Sequence, residues 1–93
     1  MPERILVVDD EPQMVMAMER VLRRSGHEVD TARGGHEALS ALSRHAYGVV
    51  VTDLRMPGLD GHDLLKRIRA LCPSTRVLVV TAFGTVESAV TCV

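Results

Sequence analysis

Two rhythms of apolar and polar residues alternate along the chain. Short stretches rich in β-branched residues fall at 4–8, 28–32, 48–52 and 76–80, and the runs ILVV, GVVVT and VLVV are apolar on both faces. Such strands suit a parallel sheet covered on both sides. The second rhythm is helical. After Pro12, a good first-turn residue, Met14, Val15, Met18, Val21 and Leu22 share one face. That helix is expected to stop near Ser25-Gly26, with Gly26 closing it and Arg23 and Arg24 in the last turn, where the dipole favours cations. A second helix is predicted over 35–43, with Ala38, Leu39 and Leu42 inward. The third covers 61–71, with Leu64, Leu65, Ile68 and Leu71 inward, and Cys72-Pro73 ends it. After Thr85, the positions of Val86, Ala89, Val90 and Val93 predict a fourth helix.

The order βαβαβαβα points to an α/β doubly wound parallel sheet with right-handed connections. Ninety-three residues make one small domain, 1–93. The last helical stripe breaks off at Val93 after barely two turns. The chain therefore reads as a domain truncated before a further strand and helix.

Composition narrows the function. The chain is 46% hydrophobic and 25% charged, as a folded domain is. Eleven basic residues stand against twelve acidic ones, so nothing argues for direct nucleic-acid contact. Cys72 and Cys92 match neither a disulfide framework nor a metal knuckle, which fits a reducing cytoplasm. No apolar run nears the ~18 residues of a membrane span, and no leader pattern opens the chain.

The chemistry lies at the strand ends, where open α/β sheets bind ligands. The first strand runs into Asp9-Asp10, the third into Asp53 and the fourth into Thr81-Ala82. If the first and third strands are neighbours, three carboxylates meet in one crevice. A hard divalent cation with oxygen ligands, Mg²⁺ foremost, would make that tolerable. A carboxylate beside such a metal can also act as a nucleophile toward phosphorus. Thr81 could then bond a phosphoryl oxygen, and small Ala82 would leave room for it. Taken singly, Asp9-Asp10 serves equally well as a cap for the next helix, and the segment 53–58 as a Pro-Gly turn.

The motifs VVDDEP, VVVTDLRMPGLDG and VLVVTAFG together resemble the receiver domain of bacterial two-component response regulators, from the first strand into the fourth helix. The run TAFGTVESAV looks most like the receivers of enhancer-binding transcription activators. The resemblance implies a flavodoxin-like sheet of strand order 2-1-3-4-5, here lacking the fifth strand and helix. It implies Asp53 as phosphoacceptor and Asp10 as a direct Mg²⁺ ligand. Asp9 would contribute mostly through water, and Asp53 and the backbone carbonyl of Arg55 would complete the metal set. Thr81 would be the switch hydroxyl. A sensor histidine kinase is the implied partner, in the cytoplasm, with a transcriptional output module outside this chain. The family's lysine-proline pair at the end of strand five has no counterpart here.

A missing fifth strand would leave the fourth as a bare edge, which invites self-association through that edge or through helix four. Three other readings compete. A phosphatase using Asp53 would want a second acid two residues on, where Arg55 stands. A phosphorylation-independent interaction module would not need Asp9, Asp10, Asp53 and Thr81. A dinucleotide site would need a Gly-rich turn after the first strand. The four histidines show no metal-ligand spacing and are expected at the surface. Met14 is a candidate for partner docking, because methionine adapts to varied surfaces.

Overall fold

The computed structural model describes residues 4–52, 61–81, 84–85 and 90–91, with side chains over 4–52 and 63–79. Among the described residues, six strands and three helices follow in the order β1 (Arg4–Val8), α1 (Pro12–Arg24), β2 (Glu28–Ala32), α2 (Gly35–Arg44), β3 (Val49–Thr52), α3 (Gly61–Leu71), β4 (Arg76–Thr81), β5 (Gly84–Thr85) and β6 (Val90–Thr91). Strands β2, β1, β3 and β4 lie side by side in that order and all run parallel. The 2-1-3-4 order that the resemblance implies is therefore present.

Alternation along the strands divides the core between two faces. Leu6, Val8, Val50, Val77 and Val79 pack with Ala38 and Leu42 of α2 and Leu64 and Ile68 of α3. Ile5, Val7, Val29 and Val51 face the other way, onto Met18 and Leu22 of α1. One face thus carries two helices and the other carries one among the described residues. Beside α1, Ala17, Met18, Val21, Leu22, Val51 and Leu78 line an open apolar groove. This explains three departures from the expected burial. Met14 is 44% exposed and Val21 63%, on a helix covered along only part of its stripe, while Leu71, 64% exposed, projects from the last turn of α3.

Helix α1 ends as expected. Ser25 is the C-cap and Gly26 turns at φ +90. The Gly26 N–H donates to the Arg23 carbonyl and the His27 N–H to that of Leu22, the paired bonds of a Schellman motif. A side chain at Gly26 would strain this turn. The chain is then delivered into β2 within three residues. Arg23 adds an ion pair to Glu19 at 3.0 Å and donates to the Val29 carbonyl at 2.9 Å, clamping helix to strand.

The end of the chain corrects the sequence reading. Val90 and Thr91 do not continue a helix; they form a strand. β6 pairs antiparallel with β4 (Arg76↔Thr91, Val77↔Val90), and β5 pairs with it at Val80↔Thr85 and Thr81↔Gly84. Of the predicted helix-four stripe, Val86, Ala89 and Val93 lie outside the described residues. The outer edge of β4 is thus hydrogen-bonded at both ends rather than bare. Unpaired backbone groups on an apolar edge are costly, and β-branched Val90 and Thr91 suit a pleated strand. A two-turn helix has little stability of its own to set against that demand. Self-association through a bare β4 edge loses its structural basis.

The lower end of the sheet, where the strands begin, is held by a polar cluster. The Tyr47 hydroxyl donates to Asp30 Oδ2 at 2.7 Å, and Arg4 Nε lies 3.3 Å from the same oxygen. Buried Thr75 donates to the Tyr47 carbonyl at 2.8 Å. Burial, the hydrogen bond to Asp30 and the charge of Asp30 push the Tyr47 phenol up to about 12, against the pull of Arg4 and Arg44.

Tyr47 is the only tyrosine, so ultraviolet titration reads it alone. Folding holds the phenol proton more tightly than the unfolded chain does. This contribution to stability is therefore intact below about pH 10 and lost as pH rises toward about 12. We expect the phenolate transition near 12 in the folded protein and near 10 in denaturant; coincident transitions would refute the Tyr47–Asp30 bond. Ile68, fully buried between α3 and the sheet, should cost about 2–5 kcal/mol on truncation to Ala in chemical denaturation.

Candidate functional site

Parallel pairing sets the geometry at the upper end of the sheet. Val8 is level with Ala32 of β2 and with Thr52 of β3, and Thr52 is level with Val79 of β4. The Asp9 N–H extends the ladder by donating to the Ala32 carbonyl at 3.1 Å. The chain therefore leaves β1 at Asp9 beside the point where β3 ends in buried Thr52. In sequence, Asp53 is the next residue.

Asp9 is buried, whereas Asp10 and Glu11 are exposed. Burying a carboxylate demands partners. One is its own chain: Asp9 Oδ1 accepts the Glu11 N–H at 3.0 Å. This is an Asx-turn. It satisfies a backbone donor just ahead of α1, whose N-cap Glu11 makes no side-chain capping bond. Pro12 follows at the first helical position, where its missing N–H costs nothing. Asp9 thus does two jobs, steering the chain into α1 and holding its carboxylate at the strand end. The capping role that the sequence offered for the Asp9-Asp10 pair is thus filled by Asp9, through the Glu11 amide.

Of the site residues read from the sequence, the structure places Asp9 and Asp10 directly after β1, beside the end of β3. Asp53, Arg55 and Ala82 lie outside the described residues. Thr81 closes β4 two residues beyond Val79, and its side chain lies outside them too. Among the described residues, no three His, Cys, Asp or Glu side chains gather to hold a metal. The two carboxylates present are hard oxygen donors of the type Mg²⁺ takes, one or two per site, the rest being water and phosphate. The donor chemistry therefore fits, with Asp9 inside the fold and Asp10 open to solvent.

The sequence matches the family of the response regulator receiver domain over residues 5–93.

This chain is a receiver domain.

The receiver is 43% identical over 83 residues to the transcriptional regulatory protein TcrA of Mycobacterium tuberculosis, covering 89% of this chain and 33% of TcrA. It is 39% identical over 90 residues to the response regulator FleR of Pseudomonas aeruginosa, covering 97% of this chain and 19% of FleR. It thus spans about a third and a fifth of those relatives. The crystal structure of the response regulator TrrA from Thermotoga maritima, in complex with Mg(2+)-BeF, matches with a TM-score of 0.82 at 38% identity. That match covers 86% of this chain and 70% of TrrA. Receivers of this family are signalling switches rather than turnover enzymes, and TcrA is a transcriptional regulatory protein. No helix of the receiver, among the described residues, is long and apolar enough to cross a membrane.

Replacing Asp9 by Ala removes the acceptor for the Glu11 N–H. We expect faster amide exchange at Glu11 and a loss of about 1 kcal/mol from α1 and the fold together. Unchanged exchange at Glu11 would show that the turn holds without the carboxylate.

Proposed function

We propose that this receiver accepts a phosphoryl group on Asp53 from a sensor histidine kinase and thereby controls a transcriptional output module. The register of β1 against β3 supports this reading most strongly. Val8 is level with Thr52, so the strand that delivers Asp9 and Asp10 ends beside the strand that leads into Asp53.

A carboxylate oxygen of Asp53 attacks phosphorus, the phosphorus–nitrogen bond to the kinase histidine breaks, and an acyl phosphate forms. The electron pair of that bond stays with the imidazole, which takes up a proton. Asp10 would hold Mg²⁺ directly, Asp9 mostly through water, with Asp53 and the Arg55 carbonyl. The cation supplies positive charge against the incoming phosphoryl oxygens. The Thr81 hydroxyl bonds a phosphoryl oxygen, and Ala82 leaves space beside it. The new charge of about −1.5 to −2 at pH 7 is the trigger for rearrangement. The TrrA complex with Mg(2+)-BeF supports the choice of cation. Asp9, inside the fold and anchored to the Glu11 amide, resists displacement, while exposed Asp10 is free to meet the ion. The composition and the lack of any spanning helix among the described residues agree with a cytoplasmic setting.

Incubation with acetyl phosphate or beryllofluoride in the presence of Mg²⁺ tests the proposal. We expect amide shifts at Asp9, Asp10 and Thr52 that disappear in Asp53→Ala. Shifts that persist in the variant, or their absence in the parent, would sink the assignment.

A further inference from the structure

The two edges of the sheet are finished differently. The outer edge of β4 is hydrogen-bonded by β5 and β6, whereas β2 ends the other side with no further strand among the described residues. The Ala32 carbonyl accepts the Asp9 N–H, so the polar backbone groups of Ala32 face β1. Backbone direction alternates along a strand, which turns those of Val29 and Thr31 outward. The Val29 carbonyl is already taken. Arg23 Nη2 donates to it at 2.9 Å, and Glu19 holds the guanidinium at 3.0 Å. Arg23 thereby blocks the lower half of the edge, as charged side chains commonly guard exposed strands. Thr31 carries no such clamp among the described residues.

A cavity of about 170 Å³ opens beside Thr31, between α1 and the edge. Pro12, Val15 and Met16 give it an apolar wall, and Glu19, Thr31 and Arg33 complete the lining. Glu19 is engaged by Arg23, whereas Arg33 is exposed and forms no ion pair among the described residues. Only the Arg33 N–H is bonded, to Glu37 Oε2 at 3.0 Å. An unclamped stretch of edge, an apolar cavity and an unpaired guanidinium therefore stand together.

We propose that the Thr31 half of the β2 edge takes an extended segment of a partner protein, carrying an aliphatic and an acidic side chain two positions apart. The segment pairs its backbone with the outward N–H and C=O of Thr31. Side chains two apart share a face of a strand. The aliphatic one enters the cavity against Val15 and Met16, and the acidic one reaches Arg33. Main-chain bonds supply attachment in such strand addition, and the side-chain pocket supplies selection. A second copy of this chain fits less well. Its own edge would bring Val29, Thr31 and Arg33 to that face, which includes no acid for Arg33.

Titration of the full chain with a capped peptide, TTVTETT, tests this by amide NMR and hydrogen exchange. At saturation we expect exchange at Thr31 to slow by about fivefold, with shifts at Met16 and Arg33 and no change at Val7 in the sheet interior. The same peptide with lysine in place of glutamate should bind about tenfold more weakly, and Arg33→Glu should reverse that preference. Arg33 is exposed, so the variant keeps the fold. Equal binding of the two peptides, a preference that Arg33→Glu leaves in place, or unchanged exchange at Thr31 overturns the proposal. So does protection at Thr31 that rises with protein concentration alone, which would assign the edge to a second copy. No phosphoryl donor or metal enters the experiment, so its outcome is independent of the role proposed for Asp53.

Discussion

Parallel pairing to a central β1 is the constraint on which everything else depends. Because β2, β1, β3 and β4 point the same way, every carboxyl end emerges on one side of the molecule. A one-residue slip would turn Ile5 and Val7 away from α1 and drive them toward the other face. The buried faces therefore lock the register, and the register decides what stands beside Asp9. The placement of Asp9 beside the end of β3 is thus inherited from the packing of apolar residues.

The two ends of the sheet are built on different terms. At the upper end the buried Asp9 carboxylate accepts the Glu11 N–H, and Asp10 beside it is exposed to solvent. At the lower end Asp30 is shared by a phenol and a guanidinium, and its neighbours tie three strands together.

Most of the fold was legible because its strands are apolar on both faces and its helices are punctuated. Pro12 opens α1, Gly26 closes it, and Cys72-Pro73 follows α3. Asp9 and Asp10 stood out as site candidates because strand ends are where this sheet type binds ligands. What stayed hidden depends on neighbours distant in sequence. Met14, Val21 and Leu71 sit on helical stripes, yet coverage depends on how many helices share a face. Val90 fits a helical stripe and a strand equally well; the hydrogen-bonding demand of the β4 edge decided between them. The Tyr47–Asp30 pair spans two elements, and no local pattern announces it.

The reversal at Gly26 has a further effect on evolution of the chain. Helix α1 hands over to β2 in three residues, with no slack to absorb a change in length. Adding or deleting one residue there would rotate the edge strand by half a period, sending Asp30 to the α1 side and Val29 toward Tyr47. Lineages descended from this sequence should therefore tolerate insertions elsewhere long before they tolerate one at this corner.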